Sequence, residues 1–259
     1  PVVEEQPEKQ EYKIDKSTTE IANEIDGMNV IQVADWLIAN APNSFAKIVA
    51  QAVRARVKAM QDRKIPMTFK VVRGGRRRKS TYGSVTGYSY PDAKYDVVIN
   101  GPNVPGQPNK VEGTNYRTLL HEMLHLATQG QITISEKTGA KNLVGPIDEL
   151  EKLRKFLIKK VREDQAKGIP VPPKLNTRQA LANVHELISY GMSEIEVQKY
   201  LADVDFKDKN GFTRFVDAIR RLLAISKTQQ SALERLVSLS EETLEVPVED
   251  IAKQFGTYG

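Results

Sequence analysis

Apolar positions along this chain recur first with the period of helices, then with that of strands, then again with that of helices. Residues 17–26 predict a short helix with Ser17 as N-cap, Glu20 completing a capping box and Gly27 ending it. Residues 29–40 set Val30, Val33, Ala34, Leu37 and Ile38 at helical spacing, place Trp36 in the core and close at Pro42. A third helix over about 43–63 buries Phe45, Ile48, Val49, Ala52, Val53, Val57 and Met60 and leaves Arg54, Arg56 and Lys58 to solvent. From Pro66 the period falls to two, and residues 67–72, 80–90 and 95–100 predict three strands rich in Val, Thr and Tyr. The Pro, Asn and Gly of residues 101–113 then form a loop into the next helix.

That helix carries the first candidate chemistry. Leu119, Leu120, Met123, Leu124 and Ala127 gather on one side, while His121 and His125, one turn apart, come together on the other. His-Glu-x-x-His on a helix points to a catalytic zinc, with two imidazoles as ligands and Glu122 placed to take a proton from water. Beyond it, residues 130–145 predict a loop or short hairpin, 147–167 a charged amphipathic helix ended by Gly168, and Pro170, Pro172 and Pro173 an extended connection. Residues 176–190 predict a helix capped by Asn176 or Thr177 that holds the third and last histidine.

His185 and Glu186 are adjacent there, and a helix aims only one of them at a shared metal. Leu181, Val184, Leu187 and Ile188 centre one face, and Glu186 lies nearly opposite, beside the small residues Ala182 and Ser189. Periodicity thus favours Glu186 as third ligand and leaves His185 as the alternative. Residues 194–202, 212–226, 228–245 and 248–255 read as further helices.

Composition narrows the choices. The chain has 259 residues, 40% hydrophobic and 27% charged, and no cysteine, so a metal must rest on His, Asp, Glu or water. No apolar run reaches the roughly 18 residues that span a bilayer, so a soluble chain without a membrane partner is expected. The net charge of +5 is spread over helices where Lys and Glu alternate, which makes nucleic acid a weak candidate partner. The basic run 73–79 either blunts a hairpin tip or, with the basic helices, touches phosphate. Beginning at Pro1 with a polar stretch, the chain is expected to be a domain cut from a longer polypeptide, with a linker over 1–15.

Residues 120–125 (LHEMLH), 183–192 (NVHELISYGM), 211–223 and 231–237 together resemble the zincin-like metallopeptidase domain of large polyvalent phage proteins. The resemblance covers about residues 66–245. It implies an α+β zincin-like fold, with a small mixed sheet flanked by helices. The peptidase core is expected at 16–192, and the C-terminal helices read as a helical subdomain at 193–259. The resemblance also implies Glu186, from the second His-Glu pair, as the third ligand, and a place in the virion or the host cytoplasm. Glutamate zincins often have an acidic residue one turn after the ligand Glu to orient a ligand histidine, and this chain has Tyr190 there. Thr128 stands where the metzincin glycine would be.

The expected function is zinc-dependent peptide hydrolysis, with zinc as cofactor on His121, His125 and Glu186, Glu122 as general base, and Tyr190 as a donor to the developing oxyanion. Residues 95–100 are either the sheet edge that binds the substrate or a wholly buried central strand, the pattern favouring neither. Expected partners are a peptide or protein substrate and other domains of the parent polypeptide. The alternative is a virion domain that keeps the fold, cleaves nothing, and touches nucleic acid through its basic loop.

Overall fold

The computed structural model describes residues 14–73, 82–87, 94–103, 113–138 and 141–204. Three helices come first: α1 (Thr18–Ile25), α2 (Val30–Ala39) and α3 (Ser44–Asp62). Each starts at the residue whose side chain caps it. Ser17 and Glu20 form the reciprocal box on α1, Asn29 and Gln32 do so on α2, and Asn43 accepts from the Ala46 amide on α3. Gly27, at φ 76°, turns the chain out of α1 in the left-handed region that glycine enters without strain. Trp36 is buried as expected and donates its indole N–H to Glu24 at 2.7 Å.

Three strands follow, β1 (Met67–Val72), β2 (Gly83–Gly87) and β3 (Tyr95–Asn100), in the order β1-β3-β2. β1 runs parallel to β3 and β2 antiparallel to it, so the sheet is mixed. β3 is therefore the central strand, so of the two readings of residues 95–100 the buried central strand holds and the substrate edge does not. Its near-continuous burial is what a strand covered on both faces requires. β2 is shorter than the stretch 80–90, whose residues 80, 81 and 88–90 lie outside the described part.

Four helices complete the described chain: α4 (Tyr116–Thr138), α5 (Lys141–Ala166), α6 (Val184–Ser193) and α7 (Ile195–Asp203). Of the loop or short hairpin expected at 130–145, residues 130–138 are instead the end of α4 and 141–145 the start of α5, while 139 and 140 lie outside the described residues. A glycine inside a helix costs about 1 kcal/mol, less than the burial of Ile132 recovers, so the helix runs through Gly130. The helix expected from Asn176 starts only at Val184. Asn176 turns its side chain on the local backbone, accepting from the Arg178 amide (2.8 Å) and donating to Pro173 O (2.6 Å), and holds residues 173–181 in turns. α7 matches the helix expected at 194–202.

One apolar core joins α1–α7 and the sheet, with Phe45, Val57, Ile99, Leu120, Leu124, Leu157 and Leu187 all essentially inaccessible. Arg56, expected in solvent with Arg54 and Lys58, is 5% exposed beside Tyr95. Burial pulls its guanidinium down to about 10. Among the described residues no helix is long and apolar enough to cross a membrane. The helices expected at 212–226, 228–245 and 248–255 lie outside the described residues, as do positions 74–79 of the basic run. Arg73 itself donates to Asn23 Oδ1 at 2.8 Å and lies 3.4 Å from Asp26.

Candidate metal centre

Two capped helices set the site. Asn115 accepts from the Thr118 amide at 2.9 Å at the start of α4, and the Tyr116 hydroxyl donates to Leu37 O at 3.0 Å, tying that start to α2. Asn183 accepts from the Glu186 amide at 2.9 Å, which fixes the backbone of Glu186 in the first turn of α6. α6 lies against α4 with Leu187, Ile188 and Ser189 buried, and the two helices bring their polar faces together. Of the two small residues expected at the contact, Ser189 is buried there, while Ala182 precedes the helix and is exposed.

His121, His125 and Glu186 converge. Their donor atoms stand 3.1 Å (His121 Nε2 to His125 Nε2), 3.4 Å (His121 Nε2 to Glu186 Oε2) and 3.6 Å (His125 Nε2 to Glu186 Oε2) apart. A tetrahedral ion with N and O donors at about 2.0–2.1 Å spaces them by about 3.3–3.4 Å. The observed triangle needs adjustments of only a few tenths of an ångström to accept one. Among the described residues this is the group of His and acidic side chains able to hold a metal. His185 stands outside it, its ring 6.3 Å from that of His125. Glu186, not His185, thus completes the cluster, as the angular separation of adjacent helical residues requires.

The charges suit ligation. Burial, only partly countered by the hydrogen bond with Glu186, pushes the His121 imidazole below its ordinary value, which keeps it neutral as a metal needs. Burial would raise the Glu186 carboxyl, but hydrogen bonds from His121 and His125 outweigh it and hold the group well below the carboxylate range. Burial, with the His125 charge adding to it, takes His185 down to about 4.

Glu122 is 7% exposed and faces the sheet. A Cβ on Gly83 of β2 would lie 2.8 Å from Glu122 Cγ and 3.0 Å from its Oε1, so the glycine makes the space this carboxylate occupies. Burial pushes its carboxyl up to about 7, against the pull of His125. Gly113 is equally constrained: a Cβ there would fall 1.9 Å from Tyr82 O, and its amide donates to Asn100 O at 2.7 Å. The chain entering α4 is thereby pressed against Tyr82, just before β2.

Tyr190 packs its ring edge-on to His121, with centroids 4.6 Å apart, and lines the same cleft. Burial pushes its hydroxyl up to about 12, so it remains a donor. Ser193, not Tyr190, stands at the other ring nitrogen of His121. Its Oγ stands 3.5 Å from His121 Nδ1 and itself donates to Ser189 O at 2.7 Å, which leaves an oxygen lone pair for the imidazole N–H. With the ring proton on Nδ1, that contact would leave the Nε2 lone pair of His121 for a metal in place of the hydrogen bond to Glu186. Sequence reasoning missed Ser193, although its place seven residues after Glu186, two turns along the same face, was a usable signal.

The cluster opens into a cleft of about 600 Å³. α4 forms its floor, residues 82–85 one wall, and residues 174–194 the other. No protein-family model, curated protein or solved structure matches this chain.

Proposed function

We propose that the chain is a zinc-dependent peptide hydrolase, the zincin-like peptidase domain of a larger phage polypeptide. The observation that carries this reading is the convergence of His121, His125 and Glu186 at tetrahedral spacing, with Glu122 beside them in an open cleft. Two imidazoles and a carboxylate that leave a position open are the donor set of hydrolytic zinc. When bound, zinc supplies a Lewis acid that acidifies water to a pKa of about 7 and polarises a carbonyl.

The chain's own groups do the rest. Glu122 accepts the proton of the attacking water and returns it to the leaving amine. The Tyr190 hydroxyl donates to the carbonyl oxygen as negative charge develops there. β2 takes the edge role that β3 does not hold. It borders the cleft and pairs only with β3 among the described residues, so its outer edge offers backbone N–H and C=O groups to an extended peptide.

The test is digestion of a mixed peptide library by the zinc-loaded protein, read by mass spectrometry. Cleavage should vanish in Glu122→Gln and on chelation, and return with zinc. A protein that holds one zinc and cleaves nothing, or cleaves equally as Glu122→Gln, contradicts the reading and favours a non-catalytic virion domain.

A further inference from the structure

The wall of the cleft opposite β2 carries cations that the hydrolytic machinery does not use. Lys174 and Arg178 both line it, Lys174 half-buried and Arg178 exposed. They sit on a segment that is built rather than slack. Leu175, Ala180 and Leu181 anchor it in the core, and Asn176 ties its turns to Pro173, Arg178 and Gln179. Arg154 holds it from below by donating to Leu181 O at 2.9 Å. The same segment ends in Asn183, the cap that fixes Glu186, so the two cations are placed relative to the donor cluster.

The cleft's own carboxylates are otherwise engaged. Glu194 pairs with Arg117 at 3.1 Å, Glu186 meets both imidazoles, and Glu122 is enclosed against Gly83. Among the described residues no acidic side chain lies within ion-pair distance of Lys174 or Arg178, although Glu194, held by Arg117, also feels the Lys174 charge. The Lys174 ammonium instead reaches across the mouth of the cleft and lies 6.0 Å from the ring centroid of Tyr82, the residue that leads into β2. The cleft is lined by three cations, Arg117, Lys174 and Arg178, against three carboxylates, so a divalent ion leaves it positive.

We infer that the cleft selects peptides with an acidic side chain beside the bond presented to the cluster, and that Lys174 and Arg178 read that side chain. This rests on the peptidase reading above. On a strand added to β2, side chains alternate between the faces of the sheet, and every second one on the cleft side passes the mouth where Lys174 stands. A carboxylate there replaces the weak contact of the ammonium with the Tyr82 ring by a direct ion pair. The exposed edge of β2 favours a peptide backbone over nucleic acid, which has no strand to add.

The test reads binding, so it does not depend on turnover. Zinc-loaded Glu122→Gln protein is titrated by fluorescence anisotropy with three labelled peptides that differ only in carrying Glu, Gln or Lys at the varied positions. The Glu peptide should bind about three- to tenfold more tightly than the Gln peptide, since partly exposed ion pairs contribute up to about 1 kcal/mol each. The advantage should shrink as salt rises. Adding Lys174→Gln and Arg178→Gln should make the three peptides equal while zinc content and melting temperature hold. Equal binding of the Glu and Gln peptides, a preference that survives the double substitution, or no peptide binding overturns the inference. So does an oligonucleotide that binds more tightly than the Glu peptide and loses that binding in the double variant. Cleavage of the Gln peptide by the unsubstituted protein is scored separately: its absence with the acid preference intact counts against hydrolysis and not against Lys174 and Arg178.

Discussion

Replacing Gly83 with alanine tests whether the sheet positions the proposed base. The new Cβ would lie 2.8 Å from Glu122 Cγ and 2.9 Å from Ile99 Cδ1. Two carbons are comfortable at about 3.5 Å or more, so the Glu122 side chain must retreat by about 0.7 Å from where it stands at 2.8 Å. Ile99 is fully buried and Glu122 nearly so, which leaves neither free to swing into solvent. Overpacking of this kind costs about 1–3 kcal/mol of stability. A displacement approaching an ångström at a reacting group costs about 100-fold in rate. The expected result is therefore a kcat about 100-fold lower, a KM changed little, a full complement of metal and a modest drop in Tm. Gly87→Ala on the same strand is the comparison, because its Cβ meets Tyr95 and the cleft residue Gln129 but neither Glu122 nor the donor cluster. Steady-state kinetics on any peptide found to be cleaved, with metal analysis of the same samples, provides the readout. Full kcat in Gly83→Ala at undiminished metal content would refute the claim that β2 sets the Glu122 carboxylate.

Ser193→Ala should weaken metal affinity about 10- to 100-fold, as loss of a partner to a ligating imidazole does, and unchanged affinity in a competition titration with a chelator would remove Ser193 from that role. Glu122→Gln should keep its metal and lose about 100- to 10,000-fold in kcat, the range of general-base contributions; if it turns over like the parent, another group is the base. Asp164→Ala should cost about 1–3 kcal/mol at neutral pH, since the buried carboxylate accepts from the Tyr200 hydroxyl at 2.7 Å and pairs with Lys160. The Lys160 and Tyr200 hydrogen bonds hold the Asp164 carboxyl below its ordinary value. Its contribution is therefore full above the unfolded value of about 4 and is lost as pH falls through the lower folded value. Urea midpoints of the parent and variant should converge in acid, and a gap that persists there would assign the loss to packing instead.

What the sequence disclosed depended on the range of the interaction. The capping box of Ser17 and Glu20 closes within one turn, so α1 was legible to the residue at its N-terminus. The two histidines and Glu122 share one helix, and their geometry follows from 100° per residue. The choice of Glu186 over His185 was legible for the same reason, once a second helix was assumed to cross the first. Contacts between elements were not. The pattern of Tyr, Val and Ile in β3 allowed a buried central strand or an edge, and the choice between them depends on β2 pairing to its far side, which no local pattern reveals. Arg56 reads as a surface residue until β3 brings Tyr95 against it. Gly130 reads as a break, and the packing that carries α4 through it comes from residues distant in the chain. Asn176 looked like a cap because capping and turn formation use the same side-chain oxygen. Gly83 carried no signal at all, since its importance is the volume another strand leaves for Glu122.

The central claim is that His121, His125 and Glu186 hold one divalent ion, and elemental analysis of three purified proteins tests it most directly. After dialysis against zinc-free buffer, the unsubstituted protein and His185→Ala should each retain about one zinc per chain, and Glu186→Ala should retain almost none, since a catalytic site rests on three protein ligands. Zinc lost from His185→Ala and kept by Glu186→Ala, or absent from the unsubstituted protein even after zinc is supplied, would contradict the account.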